Sequence, residues 1–420
     1  MAPMDRKMVL VRWAELIEKH ADELALLETL DVGKPISDTL NVDVPATVRT
    51  IRWSGEAIDK VYDEIPPTPA DTLALIQRLP LGVVAAIVPW NFPLSTTAWK
   101  LAPSLATGNS VILKPASSTP LSALFIARLA AEAGLPDGAL QVLPGPGGSL
   151  GKYLATHMDI DGLTFTGSTP VGKKLMEYSG QSNLKRTFLE LGGKSPNIVF
   201  ADADLEKAAA MAAVAVFYNG GQTCTAGTRL IVEESIQDRF LEMISRNAQG
   251  WMPGDPLDPA TAMGPMIDAG QFSTVSEYVD IGRGEGAELI FGGGRALADS
   301  GGHYHEPTIF AGVDNAMRIA QEEIFGPVMS VIPFRTADEA VRIANDSIYG
   351  LAGAVWSNDI NTAHKVAEAV RVGTMGINNY FGGDITVPFG GFKQSGNGRD
   401  KSIHAFHDYT ELKTTWIEFA

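Results

Sequence analysis

The chain has one cysteine, Cys224, among 420 residues, and this scarcity limits what the protein can be. A single thiol permits no disulfide within the chain, so we expect a reducing compartment, the cytoplasm. Basic residues are also few: 33 lysines and arginines stand against 49 aspartates and glutamates, giving a net charge of −16. A surface for nucleic acid or for an anionic membrane needs clustered positive charge, so neither partner is expected.

Long apolar runs are lacking as well. The longest, Leu81–Trp90 and Ala208–Tyr218, are shorter than the roughly 20 residues that a membrane-spanning helix requires. The amino end mixes charges into a helical pattern, unlike the apolar centre of a signal peptide. The 7 histidines are scattered, and His404 and His407 have no cysteine or acidic partner at ligand spacing, so no metal is expected.

Short apolar runs alternate with helical stretches from about residue 81 to 217, and this alternation predicts a parallel β-sheet. The predicted strands are Leu81–Val88, Ser110–Leu113, Leu163–Phe165 and Asn197–Phe200, and the predicted helices are Leu94–Leu105, Leu121–Ala133, Val171–Tyr178 and Leu205–Phe217. Runs buried on both faces between helices are typical of βαβ units. Sheets of this kind bind ligands beyond the carboxyl ends of their strands.

The same alternation returns further along and predicts a second α/β domain. Its strands are expected at Ala287–Phe291, Met329–Pro333, Gly353–Val355 and Thr374–Asn378, and its helices at Gln271–Gly282, Ala337–Ile343 and Ile360–Val370. Near the amino end, apolar residues at helical spacing predict an amphipathic helix; they are Leu10, Trp13, Ile17, Ala21 and Leu24. The polar segment Val61–Pro80, with three prolines in Ile65–Pro69, predicts a protruding arm.

Two glycine-rich stretches are candidates for holding phosphates. Gly145–Gly151 begins like the dinucleotide fingerprint but places its last glycine one residue too far along. Gly167–Lys174 is nearly a P-loop, yet Lys174 occupies the position where a serine or threonine must bind magnesium. Such turns are more often structural, although a glycine backbone that opens a helix suits a pyrophosphate.

The loop Pro89–Pro93 follows a predicted buried strand, where the chain leaves the sheet at its ligand-binding edge. Two prolines fix the turn, and Asn91 offers a side-chain amide as a donor. This asparagine is interpreted either as a helix cap or turn residue, or as a donor directed at a developing oxyanion.

Cys224 lies in the polar, glycine-flanked turn of Phe217–Thr228. A lone thiol is usually buried among apolar neighbours and has no chemical role, but the polar neighbours of Cys224 are typical of a reactive thiol. Upstream, Glu190 lies between apolar residues just before Gly192 and Gly193, where burial would raise its pKa and suit a general base. A surface glutamate that happens to end a strand is an equally good interpretation.

Taken together, these segments resemble the aldehyde dehydrogenase superfamily over nearly the whole chain. The family's motifs occur in order at Pro89–Pro93, Leu113–Pro115, Phe165–Ser168, Glu190–Lys194, Gly221–Gly227, Glu322–Pro327 and Pro388–Gly396. Two segments, 315–325 and 382–401, look closest to the γ-glutamyl-γ-aminobutyraldehyde dehydrogenases of putrescine breakdown. The resemblance implies an α/β fold with a Rossmann-type parallel-sheet cofactor domain (1–60 and 81–192), a catalytic α/β domain (193–402), and an oligomerisation arm and tail (61–80 and 403–420).

The resemblance also implies roles for individual residues. Cys224 would attack the aldehyde, and Asn91 and the Cys224 N–H would hold the oxyanion. After hydride transfer to NAD or NADP, Glu190 would activate the water that hydrolyses the thioester. The residues implied in cofactor binding are Pro89, Trp90, Lys114, Ser117, Gly147, Gly151, Gly167, Ser168, Glu323 and Phe325, with Glu323 on the nicotinamide ribose.

Two departures from the family pattern bear on activity. Ser117 stands where NAD-preferring relatives usually carry a glutamate, so NADP should be tolerated. The chain also begins late, at a helix that family members reach only after an additional amino-terminal segment. This leaves a non-catalytic or weakly active scaffold as an alternative. A CoA-acylating dehydrogenase is a further one, disfavoured because such enzymes generally lack the base that Glu190 supplies.

The substrate is expected to be an amino-aldehyde or a γ-glutamylamino-aldehyde. Phe381, Gly383 and Asp384 fall where relatives line the mouth of the substrate tunnel. The glycines would leave room for a long aldehyde, and Asp384 would meet an amine or amide, although a glycine turn with a solvated carboxylate fits equally. The arm and the tail Tyr409–Phe419 resemble oligomerisation elements, and a terminal strand needs a partner edge, so a homodimer or homotetramer is expected.

Overall fold

The computed structural model describes residues 1–419, and Ala420, the last residue of the predicted tail, lies outside the described part of the chain. The strands are β1 Thr72–Pro80, β2 Val83–Ile87, β3 Ser110–Lys114, β4 Leu140–Val142, β5 Gly162–Thr166, β6 Arg186–Glu190, β7 Pro196–Val199, β8 Arg229–Glu233, β9 Glu288–Phe291, β10 Thr308–Ala311, β11 Val328–Phe334, β12 Ala352–Trp356, β13 Thr374–Ile377 and β14 Thr410–Glu418. They form sheets of five, seven and two strands.

The α-helices cover the sheets and fill the amino-terminal part of the chain. They are α1 Pro3–Lys19, α2 Ala21–Val32, α3 Ile36–Asp38, α4 Val44–Ala57, α5 Pro93–Ala106, α6 Leu121–Glu132, α7 Lys152–Thr156, α8 Thr169–Gly180, α9 Leu205–Phe217, α10 Gln237–Ala248, α11 Ala269–Gly284, α12 Arg318–Gln321, α13 Ala337–Asn345, α14 Ile360–Ala369 and α15 His404–Asp408. Two π-helical turns, Thr39–Asp43 and Gly147–Gly151, precede α4 and α7.

The five-stranded sheet is parallel throughout, in the order β4-β3-β2-β5-β6. The chain runs outward from β2 to β4 on one side and then crosses over to β5 and β6 on the other. The carboxyl ends of β2 and β5 therefore flank the topological switch point, where open α/β sheets bind their ligands. The register aligns Ile87 with Lys114 and with Phe165, and it aligns Thr166 with Glu190. The candidate site residues Lys114 and Glu190 thus lie at the same edge of this sheet.

The seven-stranded sheet has the order β13-β12-β7-β8-β11-β10-β9 and is parallel except for β9. Successive residues of its strands enter different cores: Ile198 and Ile231 pack on one face, and Val199 and Leu230 pack on the other. Burial on both faces explains why these strands read as continuous apolar runs rather than as alternating ones.

The predicted strands are confirmed, with ends that differ by no more than two residues. The amphipathic amino-terminal pattern is confirmed in its buried residues, but it spans two helices rather than one, because α1 ends at Lys19 and α2 begins at Ala21. The predicted arm is partly a strand: β1 pairs antiparallel with β14 from Thr72–Glu418 to Pro80–Thr410. Within residues 1–419 no helix is long and apolar enough to cross a membrane.

Candidate active site

A cavity of about 500 Å³ opens between the carboxyl edge of the five-stranded sheet and the loops that lead into the seven-stranded sheet. We call it the catalytic cavity. Its wall contains the candidate nucleophile, base and oxyanion donor together, namely Cys224, Glu190 and Asn91. These residues come from loops and strand ends far apart in sequence, and the two sheets bring them into one enclosure.

The turn that carries Cys224 requires glycine. Helix α9 ends at Phe217, and the next residues adopt left-handed backbone conformations, with φ of 52° at Asn219, 63° at Gly220 and 70° at Gly221. A Cβ on Gly221 would lie 2.2 Å from the carbonyl oxygen of Gly326, so no larger residue fits there. The turn presents the Cys224 thiol, half-buried, to the catalytic cavity.

Burial first, and then the nearby carboxyl groups of Glu323 and Glu190, raise the pKa of the Cys224 thiol to about 12. The thiol is therefore protonated at neutral pH in the protein alone. A nucleophilic role requires a base or a positive charge beside it, because the thiolate is the reactive form.

Asn91 is buried and is held from both sides by the turn before Cys224. Its Nδ2 donates to the carbonyl oxygen of Gln222 at 2.8 Å. The Nδ2 of Asn219 donates in turn to the carbonyl oxygen of Asn91 at 3.1 Å. An amide carries two N–H groups, so one remains for a ligand in the cavity. This geometry favours the oxyanion interpretation of Asn91 over a helix cap.

Glu190 ends strand β6 and is 2% exposed. Neither of its carboxylate oxygens has a hydrogen-bond partner within residues 1–419. Burial raises the pKa of Glu190 well above its ordinary value; Asp400 raises it further, while Lys100 and Arg399 oppose the increase. The surface interpretation of Glu190 is therefore wrong, and its environment is that of a general base.

Sequence reasoning did not identify the ion pair beside Glu190. Lys100 of α5 and Asp400 are both buried, and Lys100 Nζ donates to Asp400 Oδ2 at 2.6 Å. The one available signal was a lysine in the otherwise apolar stretch of α5. Its partner lies 300 residues away in sequence, so no local pattern reveals the pair.

The side of the catalytic cavity next to the five-stranded sheet contains most of the expected cofactor residues. Pro89, Trp90, Gly167, Ser168, Glu323 and Phe325 line it. The rings of Trp90 and Phe325 meet edge to face at 5.3 Å. Glu323 Oε1 accepts a hydrogen bond from the Gly193 N–H at 3.0 Å. A Cβ on Gly192 would lie 2.2 Å from Glu323 Oε2, so only glycine at this position lets the backbone approach the Glu323 carboxyl group so closely.

Lys114, Ser117, Gly147 and Gly151 lie further along the same sheet edge, outside the lining of the catalytic cavity. Lys114 ends β3, and its Nζ donates to the carbonyl oxygen of Pro115 at 3.0 Å. Ser117 Oγ donates to the carbonyl oxygen of Gly145 at 2.9 Å. A Cβ on Gly147 would meet nothing within 4 Å, so open space adjoins this glycine turn. A buried lysine beside an open glycine turn fits the adenosine diphosphate part of a dinucleotide.

The structure separates the three expected substrate residues. Phe381 lines the catalytic cavity, and its ring lies 6.1 Å from that of Tyr218. Gly383 and Asp384 are not in the lining, which corrects their expected placement. Asp384 instead faces an adjoining groove that also contains Arg49 and Arg52, which we call the charged groove. The loop turns outward after Phe381, where Asp384 Oδ1 accepts from the Thr386 N–H.

No cluster of three or more histidine, cysteine, aspartate or glutamate residues within residues 1–419 is arranged to hold a metal ion.

Comparison with known proteins gives a consistent assignment. The model of the "Aldehyde dehydrogenase family" matches residues 1–415. The NADP/NAD-dependent aldehyde dehydrogenase PuuC of Escherichia coli (strain K12) is 54% identical over 99% of this chain and 83% of its own length. The structure of a γ-glutamyl-γ-aminobutyraldehyde dehydrogenase from Burkholderia cenocepacia J2315 is 55% identical, with a TM-score of 0.98 over 100% of this chain and 85% of that one. An indole-3-acetaldehyde dehydrogenase from P. syringae, solved with NAD+ and IAA, is 60% identical, with a TM-score of 0.99 and the same coverage.

Proposed function

The chain belongs to the aldehyde dehydrogenase family and oxidises aldehydes with NAD or NADP; from this premise we propose that Cys224, Glu190 and Asn91 are its catalytic residues. The observation that carries this proposal is their convergence on the wall of one cavity, where they bring a thiol, a buried carboxyl group without a hydrogen-bond partner, and an amide with one N–H to spare. The overall reaction converts the aldehyde, water and the oxidised cofactor into a carboxylate, the reduced cofactor and two protons.

Catalysis begins when Cys224 Sγ bonds to the aldehyde carbon and the thiol proton leaves to Glu190 or to water. The carbonyl oxygen becomes an oxyanion, which the free N–H of Asn91 and the backbone N–H of Cys224 stabilise. A nicotinamide cofactor held by the residues given below would supply the hydride acceptor for this carbon and a positive charge in the cavity. The acyl group then remains on Sγ as a thioester.

Glu190 completes the cycle as the base for hydrolysis. It removes a proton from water, the oxygen bonds to the thioester carbon, and the C–S bond breaks to return the Cys224 thiolate. The pair Lys100–Asp400 lies beside Glu190; Asp400 raises the pKa of Glu190 and Lys100 lowers it. This pair therefore tunes the base without contacting the substrate.

The cofactor is held, in this proposal, by Pro89, Trp90, Lys114, Ser117, Gly147, Gly151, Gly167, Ser168, Glu323 and Phe325. Burial raises the pKa of Glu323 to about 7, while the Gly193 N–H and Lys194 oppose this increase. Glu323 is thus a carboxyl group at the cofactor side of the cavity, where it would accept a hydrogen bond from a ribose hydroxyl. The side chain of Ser117 carries no charge near the proposed binding site for the adenosine end of the cofactor.

We expect S117E to favour NAD over NADP. A carboxylate at position 117 repels the 2′-phosphate of NADP, and repulsion between like charges in contact changes affinity by about tenfold or more. The measurement is kcat/KM with each cofactor at one saturating aldehyde concentration. The variant S117Q, which has similar size without charge, is the control. Equal losses with both cofactors in S117E would show that position 117 does not read the phosphate.

The substrate is proposed to be a γ-glutamylamino-aldehyde or an amino-aldehyde. One of the relatives supports this by its name: the γ-glutamyl-γ-aminobutyraldehyde dehydrogenase, at 55% identity. The structure adds a physical reason. Arg49 and Asp384 share the charged groove, and Arg49 follows Val42 and Ala46 of the cavity wall at helical spacing. A long substrate that leaves the catalytic cavity would therefore meet a groove that carries both positive and negative side chains, which suits an α-amino-acid end.

This proposal predicts a selective effect of D384A. The KM for γ-glutamyl-γ-aminobutyraldehyde should rise by about tenfold through the loss of a charged contact, while the KM for hexanal should stay within about twofold. Absorbance at 340 nm with NAD or NADP measures both, and D299A, which removes an exposed aspartate elsewhere, is the control. A parallel rise for both aldehydes would contradict recognition of the polar end.

Aryl-acetaldehydes are the second candidate substrates. The wall of the catalytic cavity includes Phe92, Trp99, Tyr218, Phe381 and Phe389, and the indole-3-acetaldehyde dehydrogenase is 60% identical. Aromatic walls of this kind accept a flat ring by stacking. If indole-3-acetaldehyde gives the higher kcat/KM in the same assay, this candidate replaces the first.

We also propose the domain boundaries, the oligomeric state and the cellular compartment of the protein. The cofactor domain is assigned to 1–60 and 81–192, the catalytic domain to 193–402, and the oligomerisation elements to 61–80 and 403–420. The ribbon β1–β14 exposes Leu79, Leu412 and Trp416, and isolated two-stranded ribbons are marginal, so a homodimer or homotetramer is proposed. Sedimentation velocity that shows only monomer would exclude it. The free thiol that catalysis needs favours the cytoplasm.

A further inference from the structure

Three ionisable residues outside the proposed catalytic residues are almost completely buried behind the Asn91 loop. Glu28 of α2, Lys34 and Asp43 are each no more than 1% exposed. Lys34 Nζ donates to Asp43 Oδ2 at 2.8 Å. We call these three residues the buried brace. Removing charges from water is unfavourable unless good geometry compensates for it, so their contacts indicate what they support.

The buried brace contacts the residues that directly follow Asn91. Glu28 Oε1 accepts a hydrogen bond from the Leu94 N–H at 3.2 Å, in the first turn of α5. That helix receives no side-chain cap from its own N-cap residue, Phe92, so Glu28 satisfies one of the N–H groups that a helix start leaves free. Lys34 Nζ lies 3.8 Å from the centroid of the Phe92 ring, at cation–π distance.

The opposite side of the same loop is held by the turn before Cys224, through the hydrogen bonds that join Asn91 to Gln222 and to Asn219. The segment Asn91–Leu94 is thus fixed from two directions. One direction is the turn that carries the nucleophile, and the other is the buried brace. A shift of about 1 Å in an oxyanion donor is enough to lose most of its effect.

We propose that Glu28, Lys34 and Asp43 are positioning residues for the oxyanion step, which hold the Asn91 amide in line with the carbonyl oxygen of an aldehyde bound at Cys224. This inference rests on the proposed role of Asn91. It assigns no contact with substrate or cofactor to Glu28 or Lys34. Asp43 also lines the catalytic cavity, so the test is made on Glu28.

The chemistry of Glu28 allows a sharp test. Burial and the neighbouring Asp43 raise the pKa of Glu28 to about 8, although Lys34, the Leu94 N–H and Ser122 oppose this. Glu28 is therefore mostly protonated and uncharged at pH 7. Glutamine has nearly the same shape and charge and keeps the acceptor for Leu94, whereas leucine removes it.

The experiment compares E28L, E28Q, N91A and a control, E23L, at an exposed site on the same helix. The burst of reduced cofactor in stopped flow at 340 nm reports acylation. We expect E28L to lower the burst rate constant about 10- to 100-fold, which is part of the loss typical for a missing oxyanion donor. In E28Q the burst rate constant should stay close to that of the unmodified protein. Cofactor Kd and the rate of Cys224 alkylation by iodoacetamide, which forms no oxyanion, should change by less than about twofold. E23L should behave like the unmodified protein.

Several outcomes would overturn the inference. Folded E28L with an unchanged burst would do so, as would equal losses of burst, cofactor binding and alkylation, which indicate a general collapse of the site. If E28L does not fold, K34M takes its place as the disruptive variant and is compared with E28Q in the same three measurements. An unchanged burst in N91A would instead remove the proposed role of Asn91, which separates that failure from failure of the buried brace. In the double variant E28L/N91A the losses should not add, because both act through one donor.

Discussion

Replacement of Cys224 by alanine is expected to abolish aldehyde oxidation, with kcat/KM falling by at least about 10⁴-fold. The reason is chemical: the thioester route needs a nucleophile on the protein, and Cys224 is the only cysteine in the chain. No other nucleophile of comparable reactivity is available at that position, because its neighbours Thr223 and Thr225 carry only hydroxyl groups. The measurement is reduced cofactor at 340 nm with the aldehydes that the unmodified protein accepts.

The C224A variant must be shown to be folded and to bind the cofactor. The thiol is only half-buried, so its removal should change the free energy of unfolding by about 1 kcal/mol or less. Cofactor binding should persist, because the expected cofactor residues lie on the five-stranded sheet and around Glu323. Appreciable oxidation by folded C224A would refute the thioester mechanism and leave only a direct attack of water on the aldehyde.

Much of the framework around this nucleophile is predictable from local pattern. Strands β2, β3, β5 and β7 are buried on both faces, and their runs of apolar residues are recognisable without any partner. The polar turn of Cys224 and the glycines after Glu190 are equally local signals. The raised pKa of Glu190 follows from its apolar neighbours, and the structure confirms it.

What local pattern does not predict depends on distant pairing. Strand β8, Arg229–Glu233, begins and ends with a charge. Its Arg229 is buried because backbone carbonyl groups of residues 194, 343 and 344 and the side chain of Asn315 accept from its guanidinium. Strand β1 lies in a polar segment and becomes a strand because β14 pairs with it. Asp384 is close in sequence to the cavity residue Phe381, yet the direction of one exposed loop places it in the charged groove.

The buried charges show the same limit at the active site. A lysine in an apolar helix, such as Lys100, signals that a partner exists, but it cannot indicate that the partner is Asp400. Glu28 lies four residues after Leu24 on the buried face of α2, but this spacing does not identify what its carboxyl group contacts. Its contact with Leu94 spans 66 residues. Such contacts arise from the packing of whole helices, so they become visible only in three dimensions.

Replacement of Glu190 by glutamine is expected to block the second half of the reaction and spare the first. Glutamine fills the same space but cannot accept a proton from water, and loss of a positioned base typically lowers a rate by about 10²–10⁴-fold. The expected result is a rapid burst of about one reduced cofactor per active site, followed by slow turnover. Stopped-flow absorbance at 340 nm resolves both phases, and acid quenching with mass spectrometry detects the accumulated thioester on Cys224.

The pH dependence of hydrolysis provides the control for this assignment. The pKa of Glu190 is raised well above its ordinary value, first by burial and then by Asp400. Its basic form therefore grows as pH rises, and hydrolysis in the unmodified protein should accelerate with rising pH well above the range in which an ordinary glutamate titrates. In E190Q that dependence should disappear from the slow phase, while D408N, which alters a carboxyl group with a smaller effect on the pKa of Glu190, should retain it. If E190Q loses the burst instead of the turnover, Glu190 acts mainly in the deprotonation of Cys224, and another base must activate the water.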